Sequence, residues 1–401
     1  MTPWRPWSRF GQAVAEGQGR RAYLDYAATA PFDGRLAESL KSAEWGNANA
    51  LYVEGRAAFA QLEDARRRIA RALGAHEPSE IYFTSGGTES DNTALSGLAS
   101  EVPGAARTHV IVSAIEHDAV LMSARALKKR GFAVDVLKPN GQGILTPEIL
   151  RERLEGIEQK GEATCLVAVQ AVNNELGTIQ PVSELADIAH GHGARFFSDM
   201  VQALGKLELD LEASGVDAAA FSAHKIGALK GCGALYVRRN VRCLPYLFGG
   251  GQEAGLRSGT QNVPGAHVFA AAVELACAER EQVWERVSGF RAQVLEAVQS
   301  ADVAHALRPT VPESDSQVPH ILSFLCDGLE GETIVLRADN AGIAVSAGSA
   351  CSSKSLDPSH VMTALGIPKD EAYGSLRISF GAGTTQSDID QLCGALGEVL
   401  R

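Results

Sequence analysis

The chain has 401 residues, of which 45% are hydrophobic, and a formal net charge of −11. That length buries a sizeable core and exceeds one compact unit of ordinary size, so two domains are expected in one continuous fold. The acidic balance argues against a general nucleic-acid-binding surface, and no apolar run approaches the roughly 20 residues that a membrane span needs.

Residues 1–22 are polar, contain Gly, and match no regular pattern; MTPWRPWSRFGQ lacks the apolar run of a secretory signal. In 55–74, Phe59, Leu62, Ala65, Ile69 and Leu73 recur at helical spacing and Gly74 supplies a stop. Short apolar runs then read as buried strands: EIYFT (80–84), HVIVSA (109–114), TCLVAVQA (164–171), ARFFS (194–198), DAAAF (217–221) and GALYV (233–237). Helical stretches such as 118–130 and 182–192 lie between them. This alternation predicts an α/β fold with a mainly parallel sheet covered on both faces. GALYV follows its predecessor too closely for a crossover helix, so the sheet is expected to be mixed. Past residue 263 the texture changes. An Ala-rich helix over 264–300 leads to a Pro-rich break at 309–319 and a shorter α+β segment. The expected division is a large domain over 23–263 and a smaller one over 264–401 together with 1–22. The 309–319 and 346–358 stretches read as loops.

The cysteines, Cys165, Cys232, Cys243, Cys277, Cys326, Cys351 and Cys393, are odd in number, irregular in spacing and contain no CxxC. They fit neither a disulfide framework nor a thiolate zinc site, and a reducing, cytoplasmic setting is expected.

The polar residues that stand out follow the predicted strands, whose carboxyl ends share one edge in a parallel sheet, where ligands bind. In SGGTESDN (85–92), Gly86 and Gly87 allow close backbone approach, and Thr88 either caps a helix beginning near Glu89 or helps hold a phosphate at its start. In IEHDAV, His117 is a stacking ring and proton carrier, or a satisfied structural histidine. In QAVNNELG, Asn173 and Asn174 contact a ligand or turn the chain. In SDMVQALG, Asp199 ends a buried strand and needs a cation, such as a protonated pyridine nitrogen, unless it is a helix cap. In FSAHKIGALKG, Ser222, His224 and Lys225 follow an apolar strand; Lys225 is either a tucked-in Schiff-base lysine or a surface residue in a turn. Taken together, a phosphate cradle, a ring, an acid and a lysine match pyridoxal 5′-phosphate.

From YLDYAATAP (23–31) to LRISFG (376–381) the chain resembles cysteine desulfurases of the housekeeping and nitrogen-fixation type, in the class V aminotransferase superfamily. The resemblance rests on TSGGTESDN, EHDAV, VNNELGTIQP, SDMVQALGK, SAHK, GGGQEAGLRSGT (249–260) and SAGSACSS (346–353). It implies a homodimer of the fold type I pyridoxal-phosphate transferases, acting on L-cysteine. By this likeness Lys225 forms the internal aldimine, Asp199 pairs with the pyridinium nitrogen, and Gln202 hydrogen-bonds the ring oxygen. His117 stacks on the ring. Gly87, Thr88, Ser222 and His224 hold the phosphate, joined by Thr260 of a second subunit. Asn174 and Arg377 position the substrate carboxylate, and Cys351 accepts the sulfur before passing it to an acceptor protein that the sequence does not name; an iron–sulfur scaffold, tRNA thiolation, cofactor sulfuration and DNA sulfur modification would all use the same persulfide. No metal, membrane or direct nucleic-acid partner is implied.

The chain departs from the family pattern at NANALY (47–52), where Asn-Pro-Ser-Ser before a His is usual, and at IGALKG, which lacks the usual Gly-Pro. Ala254 and Ala382 stand where Arg is common. The C-terminal extension by which housekeeping members engage a scaffold is expected to be lacking. Selenocysteine lyase, another class V lyase or aminotransferase, and a non-catalytic relative remain as alternatives; the Cys351 motif argues against an aminotransferase, which needs no such thiol.

Overall fold

The structure is a computed structural model, and its described residues are 21–100, 102–301, 303–348 and 357–401. The chain opens on a two-residue strand, β1 (Ala22–Tyr23), and a short helix, α1 (Ala37–Lys41). The predicted first long helix forms as α2 (Val53–Ala72). Its core face carries Ala58, Leu62, Ala65 and Ile69, with Leu73 buried just past its end. Phe59, expected on that face, is 53% exposed, and Leu51, Tyr52 and Val53 are more open still.

Strand and helix then alternate: β2 (Ile81–Thr84), α3 (Gly87–Leu98), β3 (Thr108–Ser113), α4 (Asp118–Lys129), β4 (Ala133–Leu137), α5 (Pro147–Glu158), β5 (Ala163–Ala168), α6 (Val182–Gly191), β6 (Arg195–Asp199), β7 (Ala218–Ser222) and β8 (Gly233–Val237). The strand order is β2-β8-β7-β6-β5-β3-β4. β7, β6, β5, β3 and β4 are mutually parallel, while β8 runs against both β7 and β2. The sheet is mixed, as the short β7–β8 connection requires. The sequence reading passed over β4 because it is an edge strand: only Ala133 is buried, so AVDVL presents no continuous apolar run.

The long helix α7 (Val263–Ser300) joins two cores. Its first half, through Val273, packs with the sheet residues, whereas Val283, Val287, Phe290 and Val294 pack into a second cluster. That cluster is built by β9 (Leu307–Pro309), β10 (Ile321–Cys326), α8 (Gly331–Asn340), β11 (Ile343–Ala344), β12 (Ser375–Ser379) and α11 (Gln386–Val399), while the short helices α9 (His360–Ala364) and α10 (Lys369–Ala372) pack into a separate small cluster with Ile115 and Leu176. β10 pairs antiparallel with both β12 and β9, and β1 pairs in parallel with β11. Ala22 and Leu24 therefore lie in the second core, although the sheet residues follow them in sequence. Within the stretch read as a Pro-rich loop, Pro309 ends β9 and Gln317 bridges to Thr178, tying the second unit to the first.

Candidate active site

Because β2, β3, β5, β6 and β7 point the same way, the segments following them converge at one sheet edge. At the end of β2 the backbone of Gly86 has φ +150°, a conformation that favours glycine. A side chain at Gly87 would meet Val201 Cγ2 at 2.9 Å, so only glycine lets the first turn of α3 sit against the segment after β6. α3 begins at Gly87 with Gly86 as its N-cap. Thr88 is therefore not the cap that the sequence allowed; it lies in the first turn and is exposed. Ser222, at the end of β7, is buried, and its Oγ lies 3.7 Å from where a Cβ on Gly86 would stand. The two glycines, Thr88 and Ser222 thus shape a shallow cradle at the start of a 12-residue helix, where unpaired N–H groups favour an anion.

At the end of β3, His117 is the N-cap of α4, and its Nδ1 accepts from the Ala119 N–H at 3.1 Å. That bond leaves Nδ1 unprotonated and puts the proton of the neutral ring on Nε2. At the end of β6, Asp199 Oδ1 accepts from the Val201 N–H at 2.9 Å. Asp199 thus turns the chain and still carries a buried carboxyl. Burial raises its pKa, while the charges of His117 and Lys225 and the Val201 N–H pull the other way. Asp91 and Glu116 are also buried beside it, and desolvation holds both well above the usual carboxylate range. Neither oxygen of Asp91 has a hydrogen-bond partner among the described residues.

Lys225 follows β7 in a short 3₁₀ turn and is partly buried, not a surface residue. Its Nζ donates to the carbonyls of Ala27 at 2.7 Å and Ala28 at 2.8 Å. The Gln202 Nε2 donates to the same Ala27 carbonyl at 2.9 Å. His224 Nδ1 pairs with Thr29 Oγ1 at 3.0 Å. Burial, then the charges of Lys225 and Lys230, push His224 down to about 4, so it is neutral near pH 7.

After β5, Asn173 serves the chain itself: its Oδ1 accepts from the N–H groups of Glu175 and Leu176, and its Nδ2 donates to the Ile115 carbonyl. Asn174 is partly open, and its carbonyl accepts from Arg377 at 2.9 Å. Arg377, on β12, is 2% exposed and pairs with Asp25 at 2.8 Å. Its buried Nε has no hydrogen-bond partner among the described residues. A buried guanidinium with a spare donor is equipped to receive a carboxylate.

Residues that the sequence reading did not single out also reach this edge. Lys206 donates to the carbonyl and to Oε1 of Gln202. Glu175 is buried and accepts from the Ser359 hydroxyl at 2.6 Å, with its carboxyl raised by desolvation. A cavity of about 510 Å³ runs beside Lys225, with Tyr26, Lys206, Arg286, His320 and Ala382 in its lining.

Thr260 is exposed on the loop after β8, and among the described residues no hydrogen bond joins it to the group above. That loop is anchored by Glu253, which accepts two bonds from Arg66, at 2.8 and 3.0 Å, and one from the Phe83 N–H. Glu253 and Ala254 both have positive φ, +48° and +51°. Ala382 contributes its carbonyl to Arg286. Cys351, the expected sulfur acceptor, lies outside the described residues.

A family model described as aminotransferase class-V matches residues 22–392. A cysteine desulfurase IscS of Dictyoglomus turgidum is 37% identical over 384 residues, which is 95% of each chain. Among solved structures, a NifS-like protein aligns with TM-score 0.85 and 33% identity over 95% of this chain and 99% of its own. SspA in complex with cysteine aligns with TM-score 0.74 and 33% identity over 90% and 98% of the two chains. With its sheet, its strand-edge loops and all but the end of its second unit inside the matched span, the chain belongs to the aminotransferase class-V family.

Proposed function

We propose that the protein is a pyridoxal 5′-phosphate-dependent cysteine desulfurase. It converts L-cysteine to L-alanine and carries the sulfur on Cys351 before passing it to an acceptor protein. The observation that carries this reading is the meeting of Lys225 and the buried Asp199 carboxyl at one sheet edge, close enough for the lysine charge to act on the acid.

The residues present fit the cofactor. Gly87, Thr88, Ser222 and the neutral His224 hold its phosphate, and His117 presents a ring whose orientation is fixed by its bond to Ala119. Asp199 would hold a proton on the ring nitrogen, Gln202 would face the ring oxygen, and Lys225 would hold the aldehyde and carry a proton at Nζ. When bound, the cofactor supplies the electron sink that lets the α-proton of cysteine leave. Arg377 orients the substrate carboxylate through its spare Nε–H, with Asn174 beside it. The relatives named cysteine desulfurase and the structure in complex with cysteine support L-cysteine as substrate.

A second copy of the chain supplies Thr260 to the phosphate, which makes the enzyme a homodimer. The apolar side chains left open at Trp45 (77% exposed), Leu51 (89%) and Phe248 (84%), together with Phe59, support such an interface. The acceptor is a sulfur-receiving protein, with iron–sulfur assembly, tRNA thiolation, cofactor sulfuration and DNA sulfur modification all using the same persulfide, and the compartment is the cytoplasm. The six described cysteines are all free thiols, which suits a reducing compartment.

Lys225→Ala tests the reading. Borohydride treatment of the wild-type protein loaded with cofactor is expected to fix the cofactor covalently, and the variant is expected to lose both this and turnover. Covalent fixation that persists in the variant would assign the role to another lysine, such as Lys230.

A further inference from the structure

The side chain of Gln202 is held by two neighbours, the Ala27 carbonyl and the Lys206 amine, which together set its sense. A carbonyl only accepts, so the amide group facing Ala27 at 2.9 Å is Nε2. An amine that carries its protons donates, so the group facing Lys206 at 3.2 Å is Oε1. Lys206 adds a bond to the Gln202 backbone carbonyl at 3.0 Å, four residues back, which fixes its own position. The residue keeps part of its surface open to the cavity beside Lys225, but its amine is desolvated. Desolvation, then the Lys225 charge, push Lys206 down to about 7. The histidine across the cavity, His320, is itself held well below its ordinary value by burial and by the charges of Lys206 and Arg286. A lysine placed there at such a cost, bonded to uncharged groups of one residue, serves that residue.

We propose that Lys206 is a positioning residue for the cofactor: it fixes the Gln202 amide so that Nε2, and not Oε1, faces the ring oxygen. The inference rests on the reading that Gln202 faces that oxygen. Without Lys206 only the Ala27 bond sets the sense of the amide, and in the fraction that turns over a carbonyl would confront a ring oxygen that carries negative charge. An N–H donor there stabilises the charge and makes the adjoining nitrogen of Lys225 easier to deprotonate. Loss of the donor therefore moves the pH midpoint of the bound cofactor's visible absorbance upward. A hydrogen bond to a charged group is worth a shift of about one pH unit.

The test is a spectral pH titration of the loaded enzyme for wild type, Lys206→Met, Gln202→Leu and the double variant. Methionine keeps the length and removes a buried amine, so the fold should survive, which a melting curve of the cofactor-free protein checks. The expected result is an upward midpoint shift of about one unit in each single variant and no further shift in the double. Lys206→Arg, which only donates, is expected to keep the wild-type midpoint, and it serves if the methionine variant does not fold. An unchanged midpoint in Lys206→Met, a full sum in the double variant, or a shifted midpoint in Lys206→Arg would overturn the proposal. If Gln202→Leu itself leaves the midpoint unchanged, the assignment of Gln202 to the ring oxygen fails first.

Discussion

Asp199→Asn separates a cofactor partner from a helix cap because the two roles give opposite outcomes. Asparagine keeps an oxygen to accept from the Val201 N–H, so the local turn is preserved. In the cofactor-free protein Asp199 is a buried acid whose pKa is raised, crowded by Asp91 and Glu116. An acid raised on folding binds protons more readily folded than unfolded. Its contribution to stability is therefore complete below the unfolded value of about 3.9 and is lost as pH rises through the folded value. Removing the charge should stabilise the cofactor-free protein at pH 8. The expected result is a melting point for the cofactor-free variant above that of the wild type at pH 8, with the difference vanishing at acid pH. In the loaded enzyme the same change removes the partner of a buried ring cation. Breaking a buried pair costs about 3–5 kcal/mol, which lowers the rate by about a hundredfold or more. The assays are thermal melting without cofactor and alanine release with it. A melting point that falls would refute the carboxyl crowding, and an unchanged rate would make Asp199 a cap alone.

Two further substitutions probe the substrate site and the loop that carries Thr260. Arg377→Lys keeps the charge but removes the planar fork and the spare Nε–H, so KM for L-cysteine should rise by about ten- to a hundredfold; an unchanged KM in steady-state kinetics would remove Arg377 from carboxylate recognition. Ala254→Gly relieves a left-handed conformation that costs a non-glycine residue about 1–2 kcal/mol, partly offset by the greater freedom of unfolded glycine. Chemical denaturation should show a gain of about 0.5–1 kcal/mol, and a loss would mean that the Ala254 methyl makes contacts outweighing its strain.

The large sheet was legible because strands covered on both faces leave continuous apolar runs, as in TCLVAVQA and DAAAF. β4, open on one edge, left no such run. The site was legible because parallel strands deliver their carboxyl-end loops to one edge without any proximity in sequence. Of the two roles open to Thr88, the cap falls to Gly86, whose backbone rather than side chain starts the helix. Lys206 and Glu175 escaped notice because a residue type alone does not reveal a partner: Gln202 in one case, Ser359 in the other. The pairing of β1 with β11 joins residues more than 300 positions apart, which no local pattern announces. Phe59 fits the helical period of α2, but period alone does not distinguish a face buried in the chain from one left for a second copy.

The central claim is that sulfur leaves L-cysteine for Cys351. The direct measurement is alanine formed from L-cysteine by the loaded wild-type enzyme and by Cys351→Ser, with persulfide on the protein followed by mass spectrometry. The account expects the variant to bind cofactor and to change its absorbance on adding cysteine, since those steps use Lys225 and the sheet edge. It expects alanine release and persulfide to be lost. Alanine formed by the variant at the wild-type rate would contradict the account.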